Sequence, residues 1–170
     1  MLPLTPGRYP RVLYYPIEPE AGGTAAYRVV PACEKLLQRL GREGFALDVF
    51  EPTADQEGFV PSYLSVVEKY DLILYAVNLT TKSNQTVVRI EWKQPMGADC
   101  GHYIQDVPTV MVSLENPYHL LDFPRVKTYI NCYSSHDAVL DQLVEKLTGR
   151  SPFTGISPVD PFCGMWDTRL

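Results

Sequence analysis

Short apolar runs alternate with amphipathic stretches along the chain. Val12-Leu13-Tyr14-Tyr15, bounded by Pro10 and Pro16, is a run of branched and aromatic residues that predicts a buried strand. A loop with Gly22-Gly23-Thr24 follows. From Tyr27 to Leu40 the spacing of Val30, Cys33, Leu36, Leu37 and Leu40 predicts a helix with one apolar face, ended by Gly41 and Gly44. Phe45 to Phe50 alternates around Leu47 and Val49 and predicts a second strand. Asp55 to Gly58 is a polar loop, and Pro61 to Lys69 suits a short helix with Pro61 near its first turn.

Asp71 to Val77 is nearly all apolar, as in a strand of a parallel sheet covered on both faces. In Asn84 to Met96, Val87, Val88, Ile90 and Trp92 fit either period, and the position between two strands favours a helix. Val107 to Leu114 is another continuous strand. Pro117 to Leu121 reads as one helical turn and Lys127 to Cys132 as a last short strand. Ser134 or Ser135 can cap a helix that runs through Val139, Leu140, Leu143, Val144 and Leu147 to Gly149. From Ser151 onward Pro and Gly recur, which predicts an extended tail over 151–170 packed on something.

Strand and helix thus alternate about five times. The expected fold is α/β: a three-layer α/β/α arrangement around a mostly parallel sheet of five or six strands, in the flavodoxin-like order 2-1-3-4-5 with right-handed connections. A chain of 170 residues fits a single domain over 1–170.

Composition narrows the function classes. Apolar residues make up 45% and charged residues 21%, a globular balance, and the net charge of −5 argues against a nucleic-acid surface. No stretch approaches the ~20 apolar residues of a membrane span. The opening MLPLTPGRYP lacks the pattern of a secretory signal. Cys33, Cys100, Cys132 and Cys163 are far apart and form no CxxC pair, so they are read as reduced thiols of a cytoplasmic protein.

Residues 110–135, VMVSLENPYHLLDFPRVKTYINCYSS, run strand, Ser-Leu-x-Asn-Pro-Tyr turn, Leu-Leu-Asp-Phe-Pro stretch, strand, and an Asn-x-Tyr-Ser turn opening a helix. In that order they resemble a signature of the C-terminal domain of family 3 glycoside hydrolases. Residues 84–92, NQTVVRIEW, and 157–166, SPVDPFCGMW, resemble the bacterial β-N-acetylhexosaminidase branch of that family. The resemblance extends from about Leu2 to Leu170. It implies an accessory domain that packs on an N-terminal (β/α)8 barrel, the barrel carrying the nucleophilic Asp and a His-Asp acid/base pair. It implies no cofactor, and contact with an amino-sugar substrate only jointly with the barrel. A barrel needs roughly 250 residues, so the chain is expected to be an excised piece or a stand-alone remnant, non-catalytic by itself. Retaining hydrolysis needs two opposed groups, roughly 5 Å apart when both are carboxylates. Glu18, Glu115 and Asp122 fall on or near loops, with nothing in the sequence to supply an opposing wall.

The carboxyl ends of strands in an open sheet form its ligand crevice. That rule selects Glu18, Asn78, Glu115, Asn116, Tyr133 and Ser134 as cleft or interdomain contacts, with no catalytic residue among them. Each has a structural reading beside the functional one: Asn116 before Pro117 as a turn opener, Ser134 as a helix cap. Arg89 and Trp92, three apart, share a face if their segment is helical. They would then face the barrel, or else fill the core. Cys100-Gly101-His102 and Cys132 with His136 do not assemble four zinc ligands. Cys132 lacks a nucleophile elbow, and Gly22-Gly23 lacks phosphate-loop spacing. Tyr118, Phe123, Phe153, Phe162 and Trp166 are candidates for an apolar barrel-facing patch through which the chain would self-associate. The rival reading is an independent flavodoxin-like module for a small sugar or phosphate-bearing ligand.

Overall fold

Five of the short apolar runs form strands in the computed structural model, which describes residues 1–19, 30–51, 63–81, 88–92 and 101–164. They are β1 (Val12–Ile17), β2 (Leu47–Val49), β3 (Leu72–Val77), β4 (Thr109–Ser113) and β5 (Thr128–Asn131). The helices are α1 (Ala32–Arg42), α2 (Tyr63–Lys69) and α3 (Asp137–Leu147), with a 3₁₀ helix over Pro117–Leu121. The sheet order is β2-β1-β3-β4-β5 and every pairing is parallel, as expected from the sequence.

Side-chain alternation divides the sheet into two faces. Val12 and Tyr14, Leu72 and Leu74, Val110 and Val112 point to a core shared with Leu36 and Leu40 of α1 and Leu140 and Leu143 of α3. Leu13 and Tyr15, Ile73 and Tyr75, and Met111 point the other way, to a core with Val66 of α2, Ile90, Tyr103 and Phe123. Burial on both faces is why β3 and β4 read as continuous apolar runs.

Four expectations need correction. Gly41 lies inside α1, and the helix closes at Glu43 with Gly44 at φ +87°. Residues 88–92 form neither helix nor strand, against the helix favoured for Asn84 to Met96, whose remaining residues lie outside the described ones. The cap of α3 is His136, whose Nδ1 accepts from the Ala138 N–H at 3.3 Å, so neither Ser134 nor Ser135 caps it. The loops at Gly22-Gly23-Thr24 and Asp55 to Gly58, residues 27–29 of the helix expected from Tyr27, Pro61, Cys100 and Trp166 also lie outside the described residues. Val30 is described, precedes α1 and is 40% exposed, so it is not on the helix's apolar face as expected, because the helix starts only after Pro31.

The N-terminal segment is pinned to the end of α3. The Leu4 N–H donates to Leu147 O at 2.7 Å, and Gly149 follows the helix at φ +82°. A Cβ at Gly149 would lie 2.8 Å from the Cβ of Pro3. Gly149→Ala is therefore expected to lower the stability of the chain by about 1–3 kcal/mol, through the disfavoured φ and the clash together. Urea unfolding checks this; an unchanged midpoint would show that residues 1–4 do not hold this position.

Candidate functional site

An all-parallel sheet gathers the carboxyl ends of its strands at one edge, and the reversal of strand order between β1 and β3 marks the crevice there. Glu18 and Asn78 stand at that reversal. Helix α1 begins after Pro31, which has no side-chain acceptor for the first helical amides. Glu18 supplies it from the end of β1. Its Oε1 accepts from the Ala32 N–H at 2.9 Å and from Asn78 Nδ2 at 2.6 Å, and its Oε2 accepts from the Cys33 N–H at 3.1 Å. A negative charge at a helix N-terminus is favoured by the helix dipole. The same contacts weigh against the phosphate-binding rival: the amides a phosphate would use already serve a carboxylate, which would repel it.

The ends of β4 and β5 are engaged in a similar way. Glu115 accepts a hydrogen bond from the Ser135 hydroxyl. Asn116 Oδ1 accepts from the Tyr118 N–H at 2.9 Å and opens the 3₁₀ helix, while its carbonyl accepts from the Ser113 hydroxyl. Ser134 Oγ accepts from the His136 N–H at 3.1 Å, tightening the turn before α3. Tyr133 is different. Its backbone sits at φ +59°, a conformation aromatic residues rarely adopt, the residue is 43% exposed, and its hydroxyl shares a 2.7 Å hydrogen bond with Ser157.

Arg89 and Trp92 do not share a helix face. Residues 88–92 are tied down by Asp122, whose side chain is only 6% exposed. Arg89 pairs with one carboxylate oxygen; the other accepts from the Ile90 N–H at 3.1 Å and faces His119 Nδ1 at 3.5 Å. Burial alone would raise the Asp122 carboxyl, but the hydrogen bonds from His119, Arg89 and the Ile90 amide outweigh it and hold it below the usual carboxylate range. Trp92 packs in an aromatic cluster, its ring centre 5.7 Å from Phe123, 6.2 Å from Tyr75 and 6.5 Å from Tyr15. Partly buried, it packs against the core on its face of the sheet rather than standing as an open sugar platform.

Phe123 is likewise buried, which removes it from the expected surface patch; Tyr118 and Phe153 remain exposed. His119, 0% exposed beside Asp122, has no counterpart among the sequence-derived candidates. Its only local signal is a histidine in an Asn-Pro-Tyr-His turn, where an exposed position is the default.

Each of the three carboxylates named from the sequence thus has internal work: a helix end for Glu18, a serine for Glu115, and a loop-to-turn tether for Asp122. Burial pushes the Cys132 thiol up to about 12, so it stays protonated and poorly nucleophilic. Among the described residues no group of three or more His, Cys, Asp or Glu lies close enough to share a metal ion.

No protein-family model matches the chain. Over all 170 residues it is 49% identical to a Cellulomonas fimi protein named beta-N-acetylglucosaminidase/beta-glucosidase, of whose length it spans 30%. Among solved structures it resembles the beta-glucoside phosphorylase BglX, with a TM-score of 0.80 and 38% identity over 99% of this chain and 29% of that one. A fungal multi-domain GH3 beta-N-acetylglucosaminidase shares the fold at a TM-score of 0.50, with 15% identity over 88% of this chain and 15% of that one.

Proposed function

We propose that this chain is the C-terminal-side α/β domain of a family 3 glycoside hydrolase and serves as the accessory domain of a glycoside-cleaving enzyme, packed on a catalytic (β/α)8 barrel and without hydrolytic activity of its own; its likeness along the whole chain to a part of a larger glycosidase and of a beta-glucoside phosphorylase supports this. The observation that carries the reading is the match along the full chain to only 30% of a named glycosidase. The engagement of Glu18, Glu115 and Asp122 supports it chemically, since none of the three is left as a poised nucleophile or acid. For the enzyme as a whole we propose a β-linked N-acetylglucosaminide as substrate, with a β-glucoside as the alternative; the Cellulomonas fimi relative's name carries both. The proposed setting is a bacterial cytoplasm.

The test is an assay of the purified 170-residue chain with p-nitrophenyl N-acetyl-β-glucosaminide and p-nitrophenyl β-glucoside. The expected result is no release of nitrophenol above the buffer rate. Turnover that survives purification and disappears in Glu115→Gln would defeat the proposal, because a contaminant would not respond to a substitution in this chain.

A further inference from the structure

β5 is the last strand of the sheet, bonded on one side to β4. The Cys132 N–H donates to Ser113 O at 2.9 Å, so by alternation along a parallel strand the amides of Tyr129 and Asn131 face outward. Among the described residues nothing hydrogen-bonds to them from that side.

Along the open side runs a groove of about 790 Å³ lined by every residue from Lys127 to Tyr133. A cavity touched by consecutive residues of a strand lies against its edge, because a face would show every second residue. The far wall is the tail, residues 153–158, and α3 contributes Val139 and Leu143. The tail does not close the slot, since no backbone hydrogen bond joins it to β5 among the described residues. The buried Oδ1 of Asn131, a residue of the groove lining, has no hydrogen-bond partner among the described residues. Ile156, on the wall, is 93% exposed.

The charge of the slot is also distinctive. The chain carries a net −5, yet among the described residues no Asp or Glu lines the groove, whereas Lys127 and Lys146 do. Exposed edges of parallel sheets are normally covered, and unpaired edge amides recruit an extended chain. We infer that the β5 edge takes up an extended polypeptide segment, apolar on one side and bearing carboxylates, as a sixth strand between β5 and the tail. A second copy of this chain fits less well, because it would bring the same two lysines to the contact. The inference goes beyond the accessory-domain reading and is tested without a barrel, so either can fail alone.

The probe is a blocked hexapeptide of alternating Val and Glu, titrated into the ¹⁵N-labelled chain. Saturable amide shifts confined to residues 127–133 and 153–158 are expected, with slowed exchange at Tyr129 and Asn131. A peptide with Pro at its centre, or with Lys in place of Glu, is expected to leave these signals unmoved. Lys127→Glu should weaken the Val-Glu peptide by about threefold or more, as loss of an exposed charge pair does, with an unchanged thermal midpoint. No shift up to about 5 mM peptide, a range that still captures the weakest specific contacts, overturns the inference. So does equal response to the Lys peptide. Protection of the same amides that grows with chain concentration, without peptide, would show a second copy on the edge and overturn it as well.

Discussion

Glu18→Ala is expected to lower the stability of the chain by about 2–4 kcal/mol. Hydrogen bonds to a charged group contribute about 1.5–3 kcal/mol each, and loss of a helix cap about 0.5–2. Two helical amides and the Asn78 amide lose their acceptor at once, and Pro31 offers no replacement. The sum is held down because Glu18 is partly exposed and water can reach the freed groups. Glu18→Gln keeps one oxygen and should lose roughly half as much. Urea unfolding with amide exchange at Ala32 and Cys33 measures both. A loss below about 0.5 kcal/mol, the level of an ordinary surface change, would mean that the carboxylate does not hold α1 to the sheet.

Asp122→Ala should cost about 3–5 kcal/mol, the range for removing one partner of a buried ionic contact. The fully buried His119 and the Ile90 N–H would lose their acceptor, and residues 88–92 their anchor. Asp122→Asn tests the charge alone. The folded-state pKa of Asp122 lies below the usual carboxylate value of about 3.9. Its stabilising contribution is therefore complete above that value and is lost as the pH falls through the folded pKa. Asp122→Asn should lower stability at neutral pH and flatten the acid limb of the stability curve. An acid limb identical to that of the unaltered chain would show that this carboxylate is not held down by Arg89 and His119.

The fold was legible because its strands are unusually plain. Tyr14, Tyr15 and the run from Leu72 to Val77 leave no choice of period, and burial on both faces leaves only a parallel sheet with helices on each side. Residues 88–92 were not legible, since Ile90 and Trp92 suit either period. What decides their conformation is Asp122, 32 positions from Ile90 in the chain, and the rings of Tyr15 and Tyr75. The candidate positions at the strand ends followed from topology, yet their roles did not. Glu18 meets Asn78 across 60 positions and Ser135 meets Glu115 across 20. A linear reading shows that an acid stands at a crevice, but not that a distant amide or hydroxyl has already claimed it. Likeness to a relative survives this limit because it compares whole patterns, here all 170 residues of this chain against 30% of the Cellulomonas fimi protein.

The place of β1 inside the sheet has a consequence for synthesis on the ribosome. Val12 pairs with Leu47 on one side and Leu72 on the other, and Ile17 with Val77. Neither pairing is local, so closing them requires long loops before any gain is realised. The centre of the sheet cannot assemble until the residues around Val77 have left the exit tunnel. Until then Leu13 and Tyr15 of a nascent chain lack Tyr75, Tyr103 and Phe123, which bury them in the native protein, and shielding of that sticky stretch during translation is expected to raise the yield of native chain.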